Sequence, residues 1–135
     1  SVLEPSSAKL QKQRDLHKYA REQLAYNMEI CRPGMSFREL SERSWKIPEK
    51  FLPWRYGLMA HGNGINGEYP YLYHSCDFDA CGYDGIVEEN MTLSFEAFIA
   101  SDNEDGVKLE EHCLITADGV ENLSHMVPFC EHLQA

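Results

Sequence analysis

The chain has 135 residues, enough for one domain or a large piece of one with a real core, and 12 basic against 22 acidic side chains give it a formal charge of -10. That charge repels phosphate backbones and anionic lipid, so neither nucleic acid nor a membrane surface is an expected partner. No apolar run approaches the roughly 18 residues of a membrane span, and the first five residues lack the basic and apolar regions of a signal peptide, which makes a cytoplasmic protein the default expectation.

Ser6 or Ser7 is the N-cap of a first helix of about 25 residues, on which Leu16, Ala20, Leu24, Met28 and Cys31 recur at helical spacing. His17 and Tyr19 on this helix read as surface and packing residues, since no ligand motif surrounds them. Arg32-Pro33-Gly34 ends the helix, and Ser36 with Glu39 three residues on is a capping box opening a second, short helix that runs to about Trp45. Pro48 and Pro53 then break regular structure, and residues 55–60 read as a short strand.

That strand delivers His61 into a stretch with glycines at 62, 64 and 67, where the backbone can turn sharply and approach other groups closely. The alternative is a glycine-rich turn with an incidental histidine. Residues 71–84 are aromatic and acidic without a clear period and read as a loop or lid, leaving His74, Asp77 and Asp79 unassigned. The five cysteines, Cys31, Cys76, Cys81, Cys113 and Cys130, are odd in number and lack paired CxxC spacing, so they read as reduced thiols.

Residues 91–99 and 106–116 form the most informative stretch: two strands joined by the polar residues 101–105. Leu93, Phe95, Ala97 and Ile99 share one face of the first strand, and Glu96 lies on the other. In the second, Val107, Leu109, Glu111, Cys113 and Ile115 share a face, opposite Lys108, Glu110, His112 and Leu114. A hairpin closed by that loop pairs Ala100 with Gly106 and therefore Glu96 with Glu110, their Cβ atoms roughly 5 Å apart. Two like charges so placed call for a cation or a shared proton between them, unless the face is wet or the register slips by two residues. Residues 117–119 then turn the chain into a third short strand over 120–123, so the sheet is antiparallel, and His125 and His132 fall in a tail with no inferable chemistry.

Taken in order, His61-Gly62-Asn63-Gly64, Leu93-Ser94-Phe95-Glu96, and Gly106-Val107-Lys108-Leu109-Glu110 followed by Leu114-Ile115-Thr116-Ala117-Asp118-Gly119 resemble the pita-bread metallohydrolase family, which includes creatinase, prolidase, proline aminopeptidase and methionine aminopeptidase. The resemblance implies an α+β fold, a curved antiparallel sheet with helices packed on one face. It implies that His61, Glu96 and Glu110 are metal ligands, with two divalent ions (manganese, iron, cobalt or zinc) about 3.5 to 4 Å apart activating a water. The activity implied is hydrolysis of an amide bond in a proline dipeptide or small molecule, by a homo-oligomeric, dimeric enzyme.

Two departures qualify what the resemblance implies. Family members carry two further aspartate ligands on strands that precede the helix pair, and residues 1–135 hold no counterpart, so the chain is expected to be the C-terminal portion of a single catalytic domain. By itself it is then expected to be inactive, to hold no ion or one, and to associate through uncovered sheet. Peptidase members also carry a second, substrate-contacting histidine shortly after the first, whereas residues 62–73 contain none, and Glu68 and Tyr69 stand there as the substrate-binding candidates. Gly67-Glu68-Tyr69-Pro70 is similar instead to the branch that includes dimethylsulfoniopropionate lyase, although that branch has an aspartate base where Gly67 stands. A metal-dependent lyase, or a non-catalytic binding module on the same scaffold, are the alternatives, and the catalytic base is unknown.

Overall fold

The computed structural model describes residues 6–65, 67–102 and 105–124. His125, Cys130 and His132 lie outside the described residues. Helix α1, Ser7–Ile30, begins where Ser6 Oγ accepts a hydrogen bond from the Lys9 amide at 3.2 Å, and it buries Leu16, Ala20 and Leu24. Met28 packs at the margin of the same core. Helix α2, Phe37–Arg43, is capped by Ser36, whose hydroxyl accepts from the Glu39 amide at 3.0 Å. The helix ends two residues before the expected Trp45, because Ser44 takes up an extended conformation and its amide bonds back to Ser41.

Several local expectations are corrected. His17 is not at the surface: it is 3% exposed, and Gln23 and Asn27 on α1 are buried too, because α1 is covered on more than its apolar stripe. Asn27 Oδ1 accepts from the Trp45 amide at 2.8 Å, and the Tyr19 ring meets Phe51 edge-on. Phe51 belongs to a 3-10 helix, Glu49–Trp54, which spans the stretch where the prolines were expected to exclude regular structure. Pro48 is its N-cap, a position with no helical amide to lose, and the i→i+3 bonding of so short a turn tolerates Pro53.

Among the described residues the sheet has five strands in the order β2-β1-β3-β4-β5, all neighbours antiparallel: β1 Leu58–Gly62, β2 Tyr71–Tyr73, β3 Thr92–Ala100, β4 Gly106–Thr116 and β5 Gly119–Asn122. Strand β2 and the single-turn helix α3, Phe78–Cys81, fall where a loop was expected. Helix α1 packs across β3 and β4. Leu93, Phe95, Ala97 and Ile99 of β3 join Cys113 and Ile115 of β4 and the α1 stripe in one core cluster, so the odd-numbered face of the hairpin is the buried apolar one. The even-numbered face is left for chemistry.

The segment leading into β1 is clamped from the far side of the sheet edge. Arg55 makes a two-pronged ion pair with Asp77, Nε to Oδ2 at 2.8 Å and Nη2 to Oδ1 at 2.6 Å, which holds the Asp77 carboxyl below its usual range. The His74 ring, 3% exposed, contacts the Tyr56 carbonyl through Nε2 at 2.9 Å. A carbonyl can only accept, so Nε2 carries the proton of the neutral ring. Burial pushes His74 below the ordinary histidine value, and it does the same to His17 with help from Arg21.

Above pH 6.5 both rings are neutral whether the chain is folded or unfolded. As pH falls below that value the unfolded chain takes up protons that the folded one resists, so stability declines. The urea midpoint is therefore expected to fall between pH 7.5 and 5.5, and a His74→Gln variant, lower overall, is expected to show a shallower fall; equal slopes would remove His74 from the effect.

Candidate metal centre

Three strands bring the ligand candidates together. His61 sits in β1, opposite Ser94 of β3, and Glu96 of β3 lies directly opposite Glu110 of β4 in the register that strand alternation requires. His61 Nε2 is 3.8 Å from Glu96 Oε2 and 3.8 Å from Glu110 Oε1, and one ligand atom from each of the three residues lies within 4.8 Å of the others. His61 and Glu96 are buried and Glu110 opens to solvent.

The proton on His61 can be placed. Nδ1 lies 3.0 Å from the Gly62 carbonyl, which can only accept, so the neutral ring carries its proton there and turns the Nε2 lone pair towards the two carboxylates. Glu96 Oε2, at the same spot, is buried and has no hydrogen-bond partner among the described residues. Three potential ligand atoms thus converge, one from each residue. Imidazole nitrogen and carboxylate oxygen at this spacing are the donor set of a divalent cation, and the residues fit one. The Nδ1–H···O=C bond is the outer-shell contact that fixes a metal-binding histidine in its ligating tautomer.

A cation of the chain's own already attends the other oxygen. Lys108 Nζ donates to Glu96 Oε1 at 2.8 Å and lies 4.7 Å from the centre of the Tyr56 ring, and the bond to Glu96 raises the lysine pKa. The Tyr56 phenol is raised as well, by burial first and then by the Glu96 charge. Alternation had placed Lys108 on the Glu110 face, yet its role was not legible, because the diagonal reach from β4 to Glu96 depends on a side-chain rotamer.

The glycine-rich loop has a structural reason for its composition. Gly62 N donates to the carbonyls of both Glu68 and Pro70, at 2.8 and 2.9 Å, so residues 68–70 fold back over the end of β1. A Cβ on Gly62 would stand 1.8 Å from the Tyr69 carbonyl oxygen. Tyr69 stacks on Tyr83 with ring centres 6.1 Å apart and meets the edge of Phe37, while Glu68 is exposed beside it. Of the residues left unassigned, His74 and Asp77 form the β1 clamp, and Asp79 pairs with Arg38 at the surface.

Among the described residues no cysteine joins the cluster. The buried Cys31 and Cys113 thiols are pushed up to about 12 by burial and stay protonated core residues, and Cys76 and Cys81 are exposed without a disulfide.

The sheet presents one histidine and two glutamates with the donor atoms that a metal site uses. The model of metallopeptidase family M24 matches residues 2–117, and the chain belongs to that family. It is 38% identical over 104 residues to the dimethylsulfoniopropionate lyase DddP of Roseobacter denitrificans, covering 76% of this chain and 23% of the lyase. It is 29% identical over 117 residues to an Xaa-Pro dipeptidase of Lactobacillus helveticus, covering 84% of this chain and 30% of that enzyme. Among solved structures, the prolidase from Pyrococcus furiosus superposes with a TM-score of 0.68 at 26% identity, over 84% of this chain and 32% of its own. The chain therefore spans about a quarter to a third of the length of these relatives, and the fold is that of the family's α+β, pita-bread domain.

Two outcomes follow from this geometry. Gly62→Ala is expected to destabilise the protein by about 1–3 kcal/mol through the clash with Tyr69, whereas Gly57→Ala, where a Cβ meets nothing within 4 Å, stays within about 0.5 kcal/mol; thermal melts of both variants check this. Glu96→Gln is expected to weaken manganese or zinc binding roughly tenfold or more by calorimetry, while Glu111→Gln, on the opposite face, leaves it unchanged.

Proposed function

We propose that residues 1–135 are the C-terminal portion of a single catalytic domain and supply three ligands, His61, Glu96 and Glu110, to a centre of two divalent ions in a cytoplasmic, homo-oligomeric hydrolase. The oxygen-rich donor set suits manganese, iron, cobalt or zinc. The observation that carries the reading is the convergence of the His61 lone pair with the partnerless Glu96 oxygen and a Glu110 oxygen. A divalent ion in such a site supplies Lewis-acid polarisation of a carbonyl and a lowered pKa for water. The chain's own contribution is to fix the ligands: β1 and β3 hold His61 and Glu96 in the buried row, and the Gly62 carbonyl fixes the imidazole tautomer.

The substrate in this reading is a proline dipeptide or a small molecule with an amide bond. Glu68 and Tyr69, on the segment folded over the end of β1, line its approach. The greater identity to a dimethylsulfoniopropionate lyase than to a dipeptidase supports a second reading, a lyase on the same ligands. Gly67 counts against it, since a glycine cannot supply a base.

Assays of the full-length, manganese-loaded protein separate the two. Release of proline from alanyl-proline, lost by more than a hundredfold in Glu110→Gln, is the expected result; release of dimethyl sulfide from dimethylsulfoniopropionate instead establishes the lyase. Binding of metal with turnover of neither leaves a binding module.

A further inference from the structure

Next to the ligand row lies a polar cluster of Asn63, Ser94 and His112. Pairing runs across three strands from His61 to Ser94 to His112, so the three side chains share the even-numbered face, with Glu110 two residues along β4 from His112. At about 3.4 Å per residue that puts the two Cα atoms roughly 7 Å apart. Ser94 is fully buried between the two histidines, and His112 is exposed.

The His112 ring is held from one side only. Its Nδ1 lies 3.0 Å from Ser94 Oγ and 3.2 Å from Asn63 Nδ2. Asn63 Nδ2 also donates to Ser94 Oγ at 2.8 Å, and Ser94 Oγ donates to Asn63 Oδ1 at 3.0 Å. Asn63 is itself tied to β3 through both backbone groups, its amide to the Thr92 carbonyl and its carbonyl to the Thr92 hydroxyl, each at 3.0 Å. The His112 backbone is pinned as well: its amide donates to Ser124 Oγ at 2.8 Å and its carbonyl accepts from the Leu123 amide at 2.8 Å.

An amide NH2 can only donate, so Nδ1 accepts and the neutral ring carries its proton on Nε2. That nitrogen has no partner among the described residues. A buried serine and a backbone-anchored asparagine thus orient an exposed imidazole with one N–H aimed away from them, beside the ligand row. The Ser94 hydroxyl cannot act as a nucleophile from its fully buried position, which leaves orientation as its part.

We propose that His112 is a substrate-contacting residue that donates its Nε2–H to a carboxylate or carbonyl oxygen of the substrate, and that Ser94 and Asn63 are positioning residues for it. The proposal rests on the reading of the His61, Glu96 and Glu110 face as the reaction site. It assigns a substrate class: a small molecule with an oxygen acceptor about one side-chain row from the atom that reacts.

The test uses the full-length protein with the metal bound. His112→Phe is expected to raise KM for alanyl-proline, or for dimethylsulfoniopropionate if that is what turns over, at least tenfold with kcat within threefold, and His112→Gln, which keeps an N–H donor, is expected to recover most of the loss. Ser94→Ala, which frees the ring without removing it, is expected to fall between. Metal content of all three, by elemental analysis, is expected to match the wild type, so a raised KM with full metal locates the loss at the substrate. An unchanged KM in His112→Phe overturns the proposal while leaving the hydrolase reading intact. If neither substrate turns over, nitrogen-15 spectra of the zinc-loaded protein decide independently: a His112 proton on Nε2, with acetate shifting that nitrogen in the wild type, supports the contact, and a proton on Nδ1 or indifference to acetate overturns it.

Discussion

Two carboxylates facing each other across a β-hairpin are the constraint around which the rest of the structure is arranged. Glu96 is 3% exposed, so its charge has little water to lean on, and Glu110 stands opposite it in the register. Like charges in that relation destabilise a sheet unless something positive lies within reach. The structure supplies that charge at one of the two Glu96 oxygens. One accepts from Lys108, and the other turns to the spot where His61 offers its lone pair. The hairpin can keep the pair because α1 packs against the other face and supplies the cohesion that the charged face does not.

How far the sequence carried the reading depends on how local each determinant is. Strand alternation and the count through residues 101–105 were enough to set Glu96 opposite Glu110, since both follow from backbone geometry alone, and the structure has that register. Ser36, and Ser6 as one of two adjacent candidates, were legible as caps for the same reason: a hydroxyl at the N-cap satisfies an amide three residues away. Strand β2 was not legible, because three residues of Tyr-Leu-Tyr carry no period, and it becomes a strand only by pairing with β1. Strand β1 itself was set at 55–60 and lies at Leu58–Gly62, its start shifted by the clamp that Asp77 and His74 place on Arg55 and Tyr56. His17 defeated the apolar-period argument by being buried, as Gln23 and Asn27 of the same helix are.

The site shows the same division. His61, Glu96 and Glu110 could be named because each is a strong ligand type at a strand position. Lys108, Ser94 and His112 lay on the same face by the same alternation, but their parts depend on rotamers and on which partner each side chain reaches. Asn63 is the clearest case: in the sequence it is one residue of a glycine-rich loop, and in the structure it joins the end of β1 to both Ser94 and the His112 ring.

The two-residue period of the hairpin also bears on how such a chain can change its length over generations. All the polar groups of interest in β3 and β4 are even-numbered and all the packing groups odd-numbered, and both strands pair without a bulge over nine consecutive positions. Adding or deleting a single residue between Glu110 and Ile115 would break the parity between them, turning either the glutamate into the helix-packed core or the apolar side chain into the ligand row. A residue more or less in the 101–105 link or in the loop after His61 instead leaves the parity of the paired strands untouched, so those are the places where the chain can change length without exchanging its two faces.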